Sequence, residues 1–159
     1  MSRFCPIKDA EALYLECLEC DSRSCEKPSF YCLIAGTRTY DDYDKFNLQV
    51  NYFLQNHPLS DVVIISGGAT GVDAMAKKYA REHGCDYKEF PAEWSVFRKR
   101  AGYLRNRKMH EYISHFPKRG VLLFWDGKSK GTAQSIGLAE SFRNPVRIVQ
   151  IPVRGALRS

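Results

Sequence analysis

No apolar run in this chain approaches the roughly 20 residues that a membrane-spanning helix needs. The first residues, Met1-Ser2-Arg3-Phe4-Cys5-Pro6, lead into no apolar core of a secretory leader. A cytoplasmic location away from any membrane is therefore the expectation. Low-complexity tracts and internal repeats are missing too, which leaves an ordinary globular chain, 44% hydrophobic and 26% charged. Neither charge sign dominates. A net charge of +6 over 159 residues suits an anionic ligand but is too mild and dispersed to establish nucleic-acid binding. Two nucleotide signatures are also absent. Lys128-Ser129 lacks the upstream glycine of a phosphate-binding G-x-x-x-x-G-K-[ST] loop, and Gly67-Gly68-Ala69-Thr70-Gly71 does not fit G-x-G-x-x-G. Standard ATPase and dehydrogenase chemistry is disfavoured, and no NAD or flavin cofactor is expected.

What is present divides at Pro28-Ser29. Residues 1–29 hold Cys5, Cys17, Cys20 and Cys25, four of the six cysteines, spaced C-x11-C-x2-C-x4-C. In a reducing compartment such cysteines read as metal ligands or buried thiols before disulfides. Four thiolates can close a structural tetrahedral zinc site, which would order a segment with few large apolar residues. The plainer alternative is an amphipathic helix through Leu13, Tyr14 and Leu18 whose cysteines pack on the main domain.

Residues 30–159 alternate apolar runs with amphipathic stretches. Strands are predicted over 30–35, 62–65, 85–90, 121–125 and 146–151, and helices over 42–56, 72–83, 97–115 and 132–142. That alternation predicts an α/β fold: a doubly wound, mainly parallel sheet with helices on both faces, plus the small Cys-rich N-terminal segment. Such sheets bind ligands beyond the carboxyl ends of their strands.

Three strand-to-helix junctions at that edge carry unusual residues. They are Gly36-Thr37-Arg38, then Ser66-Gly67-Gly68-Ala69-Thr70-Gly71, then Asp126-Gly127-Lys128-Ser129-Lys130-Gly131-Thr132. Glycines let a ligand approach backbone, and free N–H groups at a helix start suit a phosphate. Thr70 is the expected helix cap, with Asp73 three residues on in an imperfect capping box. One such loop is as readily a tight turn that binds nothing; three on one edge favour a pocket. In the basic segment from Phe97 to Met109, most charges read as a solvated helix face. Gly102 suggests a close approach, and Arg98 and Arg105, two turns apart, are expected to share a face and offer guanidinium groups to a phosphate. Trp94 and Trp125 are candidates to stack on a base.

The ordered motifs IAGTR, ISGGATGVDAMAKKYA, FPAEW, RAGYLRNRKM and LLFWDGKSKGT, spread over residues 33–139, resemble the SLOG superfamily. That family is named for the DprA/SMF and LOG proteins, and the resemblance is to its YspA/YpsA-like branch. It implies a Rossmann-like sheet whose glycine-rich loops bind a nucleotide or nucleotide-derived ligand. Matched position by position, the binding candidates are Gly36, Thr37, Arg38, Gly67, Gly68, Asp73, Arg105, Asn106, Gly127, Lys128, Gly131 and Thr132. LOG-type phosphoribohydrolases carry P-G-G-x-G-T-x-x-E at the third junction, where this chain has Gln134 or Ser135 in place of the glutamate. Glu140 lies too far along the helix to substitute, leaving Asp73 and Asp126 as candidate acids.

Three functions follow in order. The first is binding, as sensor or sequestering protein, of a nucleotide-derived ligand. The second is LOG-like hydrolysis of a nucleotide N-glycosidic bond at the same site. The third is a DprA-like single-stranded DNA-binding module using the basic helix. A homo-oligomer is open, since related sheets often pair.

Overall fold

The computed structural model describes residues 2–5, 10–13 and 29–153. Two short strands, β1 (Ser2–Cys5) and β2 (Ala10–Leu13), pair antiparallel. Leu13 thus lies in a strand, not in the helix considered above. Cys5 is described by its backbone alone, and Cys17, Cys20 and Cys25 lie outside the described residues.

The main sheet has five parallel strands in the order β5-β4-β3-β6-β7. They are β3 (Phe30–Gly36), β4 (Val62–Ser66), β5 (Asp86–Glu89), β6 (Arg119–Trp125) and β7 (Val146–Gln150). The three central strands are near-continuous apolar runs because both faces are covered. One face meets α1 (Tyr43–Phe53) and α2 (Val72–His83) through Cys32, Ile34, Ile64, Leu122, Phe124, Phe46, Val50 and Tyr79. The other meets α4 (Ala101–Ser114) and α5 (Lys130–Ser141) through Leu33, Ile65, Val121, Leu123, Met109, Ile113 and Ala139. The expected strands and helices are all found, with ends shifted by a few residues. Among the described residues no helix is long and apolar enough to cross a membrane.

The one substantial departure concerns residues 97–115. A four-residue helix α3 (Trp94–Phe97) and a 3-10 turn (Arg98–Arg100) precede α4. Arg98 sits at φ +52°, in the left-handed region that non-glycine residues seldom adopt, so the helix cannot run through it. Arg98 and Arg105 therefore share no helix face, and the expected guanidinium pair does not form.

The chain leaves β3 toward β4 on one side and reaches β6 on the other, so the strand order reverses between β3 and β6. That reversal opens a crevice at the carboxyl ends, the place where such sheets take ligands.

Candidate functional site

A cavity of about 630 Å³ occupies this crevice. Its floor is the loop after β3. Thr37 N–H donates to Phe124 O at 3.0 Å, tying the loop to β6, and Thr37 O accepts from Val72 N–H at 3.4 Å, tying it to the start of α2. Thr37 Oγ1 lies 3.1 Å from Ser129 Oγ, which joins the floor to the third loop. One residue thus holds both walls.

The third loop is shaped by Asp126. Its Oδ1 accepts the N–H groups of Lys128 and Ser129, each at 2.8 Å, and α5 starts at Lys130. Partial burial pushes the Asp126 carboxyl up, but the Ser129 and Lys128 N–H groups outweigh it and hold it below the ordinary aspartate value. A carboxylate so engaged is a loop-former and a poor general acid. At the start of α5, Thr132 and Ser135 are 5% and 1% exposed and line the cavity. No hydrogen bond among the described residues engages either hydroxyl. Lys128, Lys130, Lys99 and Arg38 bring positive charge around them. Trp94, 50% exposed, forms part of the rim, with the Arg38 guanidinium 5.8 Å from its ring centroid.

The second loop behaves differently from its sequence reading. A Cβ on Gly67 would lie 2.2 Å from Arg105 Nη1, because the Arg105 guanidinium occupies that space. Arg105 Nη1 donates to Gly67 O at 2.6 Å and its Nε to Asn106 Oδ1 at 2.8 Å. A Cβ on Gly68 would meet the Glu89 carboxyl, and one on Gly71, at φ +70°, would meet Arg38 O at 2.3 Å. The three glycines admit the protein's own groups. The space that a side chain at Gly67 would take is filled by Arg105, and of residues 66–71 only Ala69 lines the cavity. Thr70 is no helix cap either: Gly71 holds the cap position, and Thr70 Oγ1 donates to Arg38 O at 3.2 Å. Asp73 does not make its half of the expected capping box with Thr70 either: its Oδ2 accepts the N–H of Ala69, four residues back, at 3.1 Å.

Of the sequence candidates, Gly36, Thr37, Arg38, Asp73, Trp94, Arg105 and Asn106 line the cavity. So do Asp126, Lys128, Ser129, Gly131 and Thr132. Ser66, Gly67, Gly68, Thr70, Gly71, Arg98 and Gly127 do not line it. Ser66 is fully buried, its hydroxyl donating to Asp73 O, and supports the wall from behind. Trp125 is held by its own indole N–H, which donates to Ser129 O at 3.1 Å, and is not among the lining residues. Sequence reasoning missed Ala35, Thr39, Ala69, Lys99, Tyr103 and Lys130, and it noted Gln134 and Ser135 only for the glutamate they replace. Lys130 sits inside a junction already singled out, and Lys99 and Tyr103 flank the Gly102 that drew notice.

Burial pushes the Asp73 carboxyl up, opposed by the Ala69 N–H and by Arg105 and Arg38, with Glu89 adding to the rise. Burial lowers Arg105 while Asp73 raises it, and the guanidinium stays charged throughout the working pH range. Gln134 lines the cavity with both ends engaged: Oε1 accepts from Asn106 Nδ2 at 3.0 Å and Nε2 donates to Tyr103 O at 3.3 Å. Among the described residues, no cluster of His, Cys, Asp and Glu is placed to hold a metal ion.

The model of the YspA, cpYpsA-related SLOG family matches residues 31–97. This segment belongs to the SLOG family. It spans the floor and the second loop, while the third loop and α4 lie beyond it. No curated protein sequence matches the chain. Two solved structures share this chain's fold. DNA processing protein A from Helicobacter pylori, described with a unique single-stranded DNA binding mode, has 20% identity and a TM-score of 0.51. The match covers 84% of this chain and 71% of that one. DNA processing protein A from Streptococcus pneumoniae has 16% identity and a TM-score of 0.55, over 80% of this chain and 52% of that one. This chain thus spans about half the length of the pneumococcal protein, and at these identities the likeness is one of fold.

Proposed function

We propose that this chain binds a phosphorylated, nucleotide-derived small molecule in the crevice between β3 and β6. The observation that carries the reading is the pair of unengaged hydroxyls of Thr132 and Ser135 at the start of α5, lining a cavity to which Arg38, Lys99, Arg105, Lys128 and Lys130 also contribute. Neither oxygen is among the buried side-chain atoms left without a partner, which are Tyr40 Oη and His110 Nε2 among the described residues, so both hydroxyls open onto the cavity and can donate to a bound anion. The helix start and Lys128 and Lys130 favour a phosphate there. The rim indole of Trp94 is free to stack on a base.

Hydrolysis is the weaker reading. Glycosidic cleavage ordinarily uses two carboxyl groups in different protonation states. Here Gln134 and Ser135 stand where the LOG glutamate would be, and Asp126 is spent on the loop. A nucleotide panel separates the two by one experiment. Melting-temperature shifts with no free base by chromatography support binding; released base with turnover supports hydrolysis and overturns our order.

A single-stranded DNA reading is favoured by residues 94–103, where exposed Trp94, Phe97 and Tyr103 alternate with exposed Arg98, Lys99 and Arg100. Aromatic stacking interleaved with cations is how sequence-tolerant single-strand binding works. Its signature is an affinity that falls steeply with salt. Tight nucleotide binding with no affinity for a 20-nucleotide oligo-dT removes it. For residues 1–29 we propose structural zinc on Cys5, Cys17, Cys20 and Cys25. Native mass spectrometry of the full chain should show one zinc, lost on substituting Cys17 and Cys20 by serine; an unchanged mass without zinc overturns it.

A further inference from the structure

Among the described residues, Asp73 is the carboxyl group that is both buried, at 6% exposure, and part of the cavity wall. Its Oδ2 takes the Ala69 N–H, and no hydrogen bond among the described residues reaches Oδ1. The two nearby guanidinium groups do not satisfy it. Arg105 is turned to Gly67 O and Asn106, and Arg38 is exposed at the rim. Oδ1 is not among the buried side-chain atoms left without a partner, so it opens onto the cavity with its acceptor capacity available to a ligand. The arrangement of charges selects what that donor is. A phosphate is repelled by Asp73 and drawn to Lys128 and Lys130 on the opposite wall. An ammonium group is repelled by Arg38 and Arg105. Neutral hydroxyl groups meet neither objection.

We propose that Asp73 recognises the sugar of the ligand, accepting hydrogen bonds from the vicinal hydroxyls of a ribose. The inference rests on the nucleotide reading above and adds the ligand's orientation and class: ribonucleotide over deoxynucleotide. Thr37 sets the span, since its carbonyl meets Val72 beside Asp73 and its hydroxyl meets Ser129 beside α5. A ligand lying across Thr37 places its sugar against α2 and its phosphate against α5. An acidic side chain beyond the strand next to the first one plays the same part in dinucleotide-binding sheets, where it takes ribose hydroxyls.

The test is calorimetric titration of the full chain with ADP, GDP, CDP and UDP, with their 2′,3′-dideoxy counterparts, and with inorganic pyrophosphate. At least one ribonucleotide should bind about tenfold or more tightly than its dideoxy form, the scale of hydrogen bonds to a charged acceptor. Asp73→Asn keeps an oxygen for Ala69 N–H and should abolish that preference, while pyrophosphate and the dideoxy forms bind at least as tightly as before because a charge that repels phosphate is gone. Lys128→Ala should weaken all of them together. Equal binding of ribo and dideoxy forms by the wild-type chain, or a preference that survives Asp73→Asn, overturns the sugar assignment alone. Failure of every nucleotide and of pyrophosphate to bind overturns the nucleotide reading and this inference with it. If Asp73→Asn does not fold, the wild-type comparison still decides.

Discussion

Substituting Gly67 by alanine tests the reversal found in the second loop. The new Cβ would sit 2.2, 2.6 and 2.9 Å from Arg105 Nη1, Cζ and Nε. A guanidinium is the far end of a long side chain and moves cheaply when exposed, but this one is buried and held at two points. To admit the methyl group it must leave Gly67 O and Asn106 Oδ1. Hydrogen bonds from a charged group contribute about 1.5–3 kcal/mol each, part of which returns as the group finds water. We therefore expect a loss of about 2–4 kcal/mol, and a melting temperature lower by about 5–15 °C for a chain of this length. Gly131→Ala is the control. It removes a glycine from the first turn of α5, where no atom lies within 4 Å of the added Cβ, and should leave stability level or raise it by about 0.5–1 kcal/mol. Urea and thermal unfolding of both variants give the comparison. Arg105→Ala should in turn relieve Gly67→Ala, so the double variant is less destabilised than the sum of the two. A Gly67→Ala protein that melts with the Gly131→Ala control, or that gains nothing from Arg105→Ala, would refute the packing argument.

Three further expectations follow from the site and core. Asp73 has its folded value raised, so the folded state binds the extra proton in the window just above 3.8; its contribution to stability grows as pH falls through that window and is adverse at neutral pH. Asp73→Asn should accordingly melt higher than wild type at pH 7 without ligand, and a lower melting point would contradict the burial argument. His110 is fully buried with Nε2 unpartnered, and burial lowers it from 6.5 to about 4. The unfolded chain then takes up the proton first as pH falls, so stability is full above pH 6.5 and drops by roughly 3 kcal/mol on the way to pH 4; His110→Gln should flatten that limb in pH-dependent urea unfolding. Lys128→Ala should weaken pyrophosphate binding by about threefold to tenfold at low salt, with the difference shrinking at about 0.5 M NaCl, since an exposed charge is screened; a salt-independent loss would point to a structural role.

The sheet was legible because parallel strands covered on both faces must be continuous apolar runs, and Val62 to Ile65 and Val121 to Phe124 are such runs. Glycine-bearing junctions after three of them placed the cavity at the right edge. What the sequence concealed was who uses a glycine. A missing Cβ signals close approach, but not by what, and at Gly67 the visitor is Arg105, 38 positions further along the chain. The same blindness hid the break at Arg98. Nothing in Phe-Arg-Lys-Arg-Ala announces a left-handed residue, since arginine and lysine are sound helix formers and tertiary packing overrode that preference. Lys99 was lost to the site for that reason: on a continuous helix it reads as solvated charge.

Gly67 and Arg105 also make a statement about descent. Because the guanidinium fills the volume that any side chain at 67 would claim, neither position is free to drift while the other stands. Relatives that keep an arginine at the position of Arg105 should keep glycine at the position of Gly67, and those that have lost the arginine should be the ones in which alanine or serine becomes tolerable there. The pair should therefore change together across divergent sequences, and a search for homologues of the same architecture gains more from that linked substitution than from the glycine-rich loop read alone.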